Sequence, residues 1–468
     1  MIRNLATVSL FTVAAVAQAP FTFGNIVVVR VGDGAAALTN ASTATFLDEY
    51  TPAGALVQSI ALPTAASGSN QPFTNSGTAT SEAFLNVSQN GLYLTLCGYG
   101  IAPGTAAVAT SPASTTPRVI ARIDLLGQVD TTTTITDGYN GVPAVPPSTT
   151  STNGNIRSAA TVDGSAYWCS GTGATATAGV RYALHGQSTS LGLNAGAPTN
   201  VRVAGIYNGQ LYATSASTVY QSVCAVGTGL PTTTGQTVSV LPGLPAASGP
   251  STYDFWFADP VTLYMADDRA LLSNGGVQKW ANVGGTWTQQ YILQPSAGCR
   301  GLTGRKINGV TTLYATTSNG QLVSFVDNGP GSPATILATA ATNTAFRGVR
   351  VLQKPSTATR LPAACGAAGI QVAGNGEIGT DIITTVTGPL GLPFVGYGVV
   401  PFNLPYCNCT VVHDFSVLLG GASATLPVPN NPALFGFTLY IQGLDFLAPG
   451  GCPDPLFTLT DGFSVTLQ

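Results

Sequence analysis

The chain has 468 residues, of which only 16 Lys+Arg and 19 Asp+Glu are charged, or 7%, against about 25% in an ordinary soluble domain. This scarcity excludes coiled coils and long surface helices, which need dense charged faces. The net charge of −3 and the lack of a basic tract exclude nucleic acid and anionic lipid as partners. The hydrophobic content of 44% is ordinary for a protein with a core.

The amino terminus has the pattern of a secretory signal peptide. A basic residue, Arg3, precedes a mostly apolar run that ends in the small-x-small exit Ala15-Val16-Ala17. We expect residues 1–17 to be removed before Gln18; the alternative is a buried strand or a short anchor helix. No later run approaches the roughly 20 apolar residues of a membrane span. The mature chain is therefore predicted to be secreted or at the cell surface, without a membrane span.

Eight cysteines are an even number in a chain predicted to be exported, which favours disulfides over metal sites. Four lie in the body and four in the tail: Cys97, Cys169, Cys224, Cys299, Cys365, Cys407, Cys409 and Cys452. None forms a C-x-x-C pair, and the two histidines lack an H-E-x-x-H spacing. We predict four structural disulfides of open connectivity, no metal and no cofactor.

The body of the chain repeats an apolar strand, a polar turn and a second strand containing a tyrosine. The repeats begin at Glu82, Arg157, Arg202, Asp254 and Arg300, and a half copy carries Arg347. Apart from one step of 75 residues, which contains a Thr/Pro-rich loop, the steps are 45 to 52 residues long. Such a unit, holding about four short strands, is typical of a β-propeller blade. The recurring tyrosines are predicted to pack within blades: Tyr93, Tyr167, Tyr212 and Tyr264.

The two ends of the repeat region are complementary. Three amino-terminal strands lack a leading strand: residues 25–30, 44–50 and 55–60. The half copy at Phe346–Leu352 lacks its remaining strands, and pairing both ends into one composite blade removes exposed edges. We predict an all-β chain with a six-bladed β-propeller over residues 24–353, or seven blades if the long loop contains further strands. A small antiparallel β-sandwich is predicted to follow over residues 357–468.

Segments in the repeat region and in the tail resemble known proteins. Four of them, Asn25–Ala61, Thr262–Ala270, Gly275–Gln294 and Ala345–Leu352, resemble a widespread family of secreted bacterial β-propeller proteins. The tail, above all Leu426–Leu444, resembles a carboxy-terminal β-sandwich common on exported proteins of planctomycetes and similar bacteria. These resemblances cover nearly all of the mature chain. They imply the fold and export, and they imply no catalytic residue.

The charges at the repeat positions have two interpretations, a ring of mutual salt bridges or a ligand site. The first strand of every propeller blade lines the central channel, so equivalent positions form a ring around its mouth. The predicted ring consists of Glu82, Arg157, Arg202, Asp254, Arg300 and Arg347. Arginines present planar forks to carboxylate, sulfate or phosphate groups, which favours an anionic ligand such as an acidic sugar. The alternative is that these side chains only form salt bridges with one another.

Three functions follow from this interpretation. The favoured one is an exported binding or scaffold module whose partner is an acidic extracellular polysaccharide or a cell-surface component. The second is an extracellular polysaccharide lyase or glycoside hydrolase using Glu82 with Asp254, or Asp254 with Asp259. Adjacent arginines would keep both carboxyls ionised rather than raise the pKa of one, so no residue is assigned as catalytic. The third is a structural surface or matrix protein without a ligand site.

Two further groups have both a functional and a structural interpretation. The side chains of Trp256, Trp280 and Trp287 could stack on sugar rings, but core packing is the preferred interpretation. The run Asp267-Asp268-Arg269 lacks the D-x-D-x-D-G spacing of a calcium loop. It is predicted to form a turn with salt bridges.

Overall fold

The computed structural model describes residues 18–146, 149–450, 452–453 and 456–468. The predicted signal peptide, residues 1–17, lies outside the described residues. Regular structure in the described part is almost entirely strand, with 3-10 turns of three residues at Val108–Thr110, Thr175–Thr177, Leu271–Ser273 and Pro432–Leu434. No helix within these residues is long and apolar enough to cross a membrane.

The amino-terminal strands form one antiparallel sheet. They are β1 (Ile26–Val31), β2 (Ser42–Tyr50), β3 (Leu56–Ala61), β4 (Thr74–Ser76), β5 (Asn86–Val87), β6 (Tyr93–Tyr99), β7 (Arg118–Asp124) and β8 (Val129–Ile135). The strands β1, β2 and β3 pair in order, and β4 and β5 both pair with β6, which continues to β7 and β8. A ladder between β2 and β4 joins these two groups.

Four separate four-stranded antiparallel sheets follow, each a simple meander. The first two contain β9 (Ile156–Ala160), β10 (Ala166–Gly171), β11 (Gly179–Leu184) and β12 (Leu191–Gly192), then β13 (Val201–Tyr207), β14 (Gln210–Ser215), β15 (Ser222–Val226) and β16 (Val238–Val240). The next two contain β17 (Thr252–Asp259), β18 (Thr262–Asp267), β19 (Gly276–Val283) and β20 (Thr286–Leu293), then β21 (Cys299–Ile307), β22 (Val310–Thr317), β23 (Gln321–Val326) and β24 (Thr335–Thr339). Short runs of β-branched and aromatic residues between Gly, Asn and Asp turns explain this pattern.

The two ends of the repeat region close on each other. Strand β25 (Ala345–Val351) pairs antiparallel with β1, and Val349 lies opposite Val28. The leading strands β5, β9, β13, β17, β21 and β25 contact one another in turn, and β25 also contacts β5. The all-β propeller fold and its composite closing blade are therefore confirmed. The blade count of six stays a prediction, because β2 and β4 merge the first two units into one sheet.

The recurring tyrosines pack as predicted. Tyr167 and Tyr264 are almost completely buried, in the cores between neighbouring sheets. Tyr212 is half-buried and packs against the rings of Phe255 and Phe257. These contacts join one sheet to the next, which is the packing that a propeller requires.

The long loop within the 75-residue step is held by a buried arginine. Arg118 is fully buried, and its guanidinium donates to the carbonyl oxygens of Thr116, Tyr139 and Gly154 at 2.6, 3.1 and 2.9 Å. It also donates to the Ser111 carbonyl oxygen at 2.7 Å. The planar guanidinium of Arg118, with its five N–H donors, therefore supplies hydrogen bonds to loop carbonyl groups that have no partner in a strand.

The remaining strands form the carboxy-terminal sandwich. They are β26 (Ala358–Leu361), β27 (Gly369–Ala373), β28 (Asp381–Thr387), β29 (Leu392–Gly398), β30 (Pro401–Tyr406), β31 (Cys409–His413), β32 (Val417–Gly420), β33 (Ser423–Pro427), β34 (Thr438–Phe446), β35 (Cys452–Pro453) and β36 (Leu456–Thr466). One sheet has the order β26-β36-β34-β29-β32 with β35 on β36, a second has the order β27-β28-β33, and β30 pairs with β31. Ile382 and Val386 of the second sheet pack against Val395, Ile441 and Val465 of the first.

Only part of the disulfide prediction is confirmed. Cys365 and Cys409 form a disulfide in the sandwich, and Cys407 is also disulfide-bonded. Cys452 lies in β35, where side chains are outside the described part of the structure. The prediction is wrong for the propeller, where four buried cysteines are free thiols: Cys97, Cys169, Cys224 and Cys299. They occupy core positions as small apolar side chains, which cysteine count alone does not distinguish from disulfide partners.

A buried histidine makes the stability of the sandwich depend on pH. His413 in β31 is completely buried, and its Nδ1 accepts a hydrogen bond from the Phe415 amide at 2.9 Å. Burial lowers the pKa of His413 from 6.5 to about 4. Between these values the unfolded chain binds a proton that the folded chain does not. The free energy of unfolding should therefore fall as the pH is lowered from 7 to 4.5, by about 2 kcal/mol through this group.

Urea denaturation of the wild type and of the His413→Gln variant across this pH range isolates that contribution. The variant should lose stability less steeply than the wild type, because glutamine does not titrate. Parallel pH profiles would contradict the assignment.

Candidate functional site: an arginine cluster at the channel mouth

The strand registers define which residues are equivalent at the mouth. The ladders that β13, β17 and β21 form with their next strands begin at Val201, Thr252 and Cys299. The residues that follow are Arg202, Tyr253 and Arg300. Asp254 comes one position later, so its predicted place in the ring is shifted by one residue. An alignment of the repeats on charged residues selects Asp254 instead of Tyr253, because the two residues are adjacent.

Tyr253 lies between two of the arginines. The guanidinium carbon of Arg202 is 3.9 Å from the ring centroid of Tyr253, and that of Arg300 is 5.8 Å away. The Tyr253 hydroxyl is 3.1 Å from the Thr80 hydroxyl, so the loop before β5 reaches the mouth. Stacking on an aromatic ring restricts the orientation of a guanidinium and fixes the direction of its N–H groups. We call Arg157, Arg202, Arg300 and Arg347 around Tyr253 the arginine mouth.

The cations of the arginine mouth bond mainly to neutral oxygens. Arg157 Nη1 donates to the Val201 carbonyl at 3.0 Å, and Arg347 Nη2 donates to the Gly77 carbonyl at 2.9 Å. Arg202 Nη1 donates to the Thr252 carbonyl at 2.7 Å. Within the described residues, Arg157, Arg202 and Arg347 form no salt bridge.

Arg300 is the member of the mouth with a carboxylate partner. Its Nε is 3.4 Å from Asp268 Oδ2. The neighbouring Asp267 pairs with Arg269 at 2.6 Å, so the salt bridges predicted for this turn are confirmed.

Burial and repulsion from neighbouring arginines lower the pKa values of Arg157 and Arg347, the two buried members of the mouth. Burial and, to a smaller extent, the charge of Arg202 lower the pKa of Arg157 to about 10. Burial also lowers the pKa of Arg347 to about 10, with Arg300 as the repelling neighbour. The Nε atoms of Arg157 and Arg347 are buried without a hydrogen-bond partner. The mouth thus holds positive charge that the described protein groups do not fully neutralise.

Glu82 lies next to the cluster and is fully enclosed. Its carboxylate accepts hydrogen bonds from the Ser76 amide at 2.9 Å, the Tyr99 hydroxyl and Asn155 Nδ2. Burial raises the pKa of Glu82, and these three donors together with Arg347 oppose that shift. Its side chain has no exposed surface, so a ligand at the mouth cannot touch it.

Asp254 belongs to a separate pair deeper in the channel. Arg350, from β25, donates from Nη1 to Asp254 Oδ2 at 2.6 Å and from Nη2 to Oδ1 at 3.1 Å. The Leu302 amide donates to the same carboxylate at 3.1 Å. Sequence reasoning missed Arg350, although it follows Arg347 by three residues within the same closing strand. The other carboxylate considered for hydrolysis, Asp259, pairs with Lys306 at 3.0 Å.

The chain matches no model of a known protein family, and no curated protein sequence matches it. Solved structures similar to it include a Trypanosoma rangeli sialidase in complex with sialic acid, with 9% identity and a TM-score of 0.37, covering 97% of this chain and 91% of that chain. The β-propeller domain of Cps50 (Swd1) from Myceliophteria thermophila has 10% identity and a TM-score of 0.32, covering 83% and 97%. The apo AztD protein from Citrobacter koseri has 12% identity and a TM-score of 0.29, covering 90% and 98%. Sequence identities and TM-scores this low do not indicate a function.

Proposed function

We propose that the protein is an extracellular binding module that recognises an anionic saccharide at the arginine mouth. The observation that carries this proposal is the cluster of four arginines around Tyr253, three of which form no salt bridge within the described residues. Buried cations are normally paired, because an unpaired charge is costly to desolvate. An anionic group at the mouth would supply the missing partner.

The donors left free suit an anionic group with two neighbouring acceptor oxygens. Among the described residues, Arg202 donates through Nη1 alone, and Arg300 bonds Asp268 through Nε alone. Their remaining N–H groups, on guanidinium groups 3.9 and 5.8 Å from the Tyr253 ring centroid, are available as forks. A carboxylate or sulfate accepts such a fork through two parallel hydrogen bonds, which a neutral hydroxyl group does not. Arg157 and Arg347 are nearly buried beside Arg202 and Arg300 and add to the positive potential.

Isothermal titration calorimetry with three polysaccharides tests this function. We expect polygalacturonate or chondroitin sulfate to bind and neutral dextran not to compete. The affinity should fall about tenfold or more between 50 and 500 mM NaCl, because salt screens partly exposed charges. Failure of both acidic polymers to bind would contradict the proposal, and so would displacement of a bound acidic polymer by dextran.

A further inference from the structure

A cavity lies between the propeller and the sandwich, at the end of the channel strands opposite the arginine mouth. Its volume is about 660 Å³, within the range of about 300–1,000 Å³ typical of small-molecule sites. The residues that matter here are Tyr207, Asn208, Trp256, Arg305, Lys306 and Gln371. The first five come from the ends of propeller strands and their turns, and Gln371 comes from β27 of the sandwich. We call this space the junction cavity.

The sandwich is fixed over the propeller by direct contacts. Asn208 Nδ2 donates to Thr385 Oγ1 at 2.7 Å, and the Asn308 amide donates to the Gly379 carbonyl at 2.8 Å. Gln371 packs so closely over Gly209 that a Cβ there would lie 2.0 Å from its Oε1. The cavity is therefore built by both parts of the chain.

The aromatic part of the wall is ordered by stacking. The ring of Tyr207 is stacked on Phe257 with centroids 4.6 Å apart and an interplanar angle of 18°. The indole of Trp256 lies against Gly304, where a Cβ would approach within 2.5 Å of the ring. Trp256 is only partly buried, unlike Trp280 and Trp287, which the structure places in a core as expected. These rings give the cavity rigid apolar surface next to polar groups.

The charged groups around the cavity are paired. Arg305 forms a salt bridge with Glu377, and Lys306 lies 3.0 Å from Asp259 and 3.4 Å from Asp381. Arg350 is held by Asp254, as described above. An ionic ligand would therefore have to compete with an existing partner, whereas a neutral ligand would not.

Polar atoms without partners remain at the wall. Tyr207 Oη, Asn208 Oδ1 and Arg305 Nε are buried and have no hydrogen-bond partner. These atoms have no exposed surface, so a ligand in the cavity would reach this hydroxyl group, acceptor and donor only after a small movement of the side chains. A buried polar group without a partner costs free energy that a ligand hydroxyl can recover.

From this combination we propose that the junction cavity binds a neutral saccharide. Sugar rings have apolar C–H faces, which suit the aromatic surface, and hydroxyl groups that both donate and accept. The paired charges favour a neutral sugar over an acidic one. This site is independent of the arginine mouth, since it lies at the other end of the channel strands and uses different side chains.

Tryptophan fluorescence titrations with neutral hexasaccharides test the proposal. The probes are the β-1,4-glucose, β-1,4-mannose and α-1,4-glucose hexamers. We expect at least one to change the emission, and Tyr207→Phe, which removes only the hydroxyl group, to weaken that binding about tenfold. Trp256→Phe should remove most of the emission change, whereas Trp287→Phe, in the core, should not.

The double variant Arg202→Gln/Arg300→Gln should bind the neutral hexamer like the wild type, which separates this site from the arginine mouth. Thermal denaturation of each variant checks that it is folded. The proposal is overturned if no hexamer binds, or if Tyr207→Phe and Trp256→Phe both leave binding unchanged. It is also overturned if the arginine variant loses the neutral ligand.

Discussion

Replacing Arg202 and Arg300 together by glutamine is expected to weaken binding of polygalacturonate by about 100-fold or more. Each arginine offers charge-assisted hydrogen bonds, and such bonds contribute about 1.5–3 kcal/mol. A factor of 100 corresponds to about 2.8 kcal/mol, so the loss of both forks is sufficient. Both side chains are partly exposed at the mouth, and glutamine keeps the shape of the stem. Calorimetric titration at low salt and pH 7 measures the change.

The matched control is Arg122→Gln. Arg122 is also partly exposed and lies 4.8 Å from the ring centroid of a tyrosine, Tyr93, but it pairs with Asp130 at 3.0 Å. Its replacement removes one positive charge, half of the change in the double variant, without touching the mouth. We expect this variant to bind like the wild type. If Arg122→Gln and the double variant lost affinity equally, the acidic polymer would be attracted by the overall charge of the protein rather than bound at the mouth. Unchanged affinity in the double variant would disprove the assigned site.

Replacing Asp254 by alanine is expected to lower the free energy of unfolding by about 3–5 kcal/mol. Asp254 is completely buried and the side chain of Arg350 is 12% exposed, so the variant would leave a nearly buried guanidinium unpaired. The Leu302 amide would lose its acceptor as well. Urea denaturation at pH 7, followed by circular dichroism, measures the loss.

The double variant Asp254→Leu/Arg350→Met tests the cause. Replacing both members of a buried ion pair by apolar groups of similar volume is often close to neutral. We expect this variant to recover most of the stability that Asp254→Ala loses. A cost below 1 kcal/mol for Asp254→Ala alone would mean that the pair is not important for the channel.

The closure of the propeller could be predicted because both ends of the repeat region had complementary deficits. Residues 25–30 lacked a leading strand, and Phe346–Leu352 was a leading strand without followers. This argument needs only strand patterns and the cost of exposed sheet edges. The structure pairs these segments as β1 and β25.

The detail of the ring could not be obtained in the same way. Because the repeats vary from 45 to 52 residues, their register is uncertain by a residue or two. Aligning the repeats on charged residues therefore placed Asp254, rather than Tyr253, in the ring. The structure shows that the tyrosine is equivalent to the arginines because the ladders of β17 and β21 begin at corresponding residues. A search for any residue that stacks with arginine, rather than for charge alone, would have found it.

The junction cavity was beyond sequence reasoning for a different reason. It forms where propeller turns meet the sandwich, and no periodicity relates Tyr207 to Gln371. The prediction that Trp256 packs in a core rested on Trp280 and Trp287, which fall in the segment that resembles the propeller family. Trp256 lies outside that segment and is only partly buried. The free thiols were missed because an even number of cysteines says nothing about which of them face each other.

A crystal structure of the protein with trigalacturonate tests the central claim most directly. The account predicts one carboxylate of the ligand within about 3 Å of the Arg202 or Arg300 guanidinium nitrogens, next to Tyr253, as in charge-assisted pairs. It also predicts that the Asp254–Arg350 pair stays intact. Trigalacturonate bound only in the junction cavity, or an empty mouth beside ligand bound elsewhere, would contradict it.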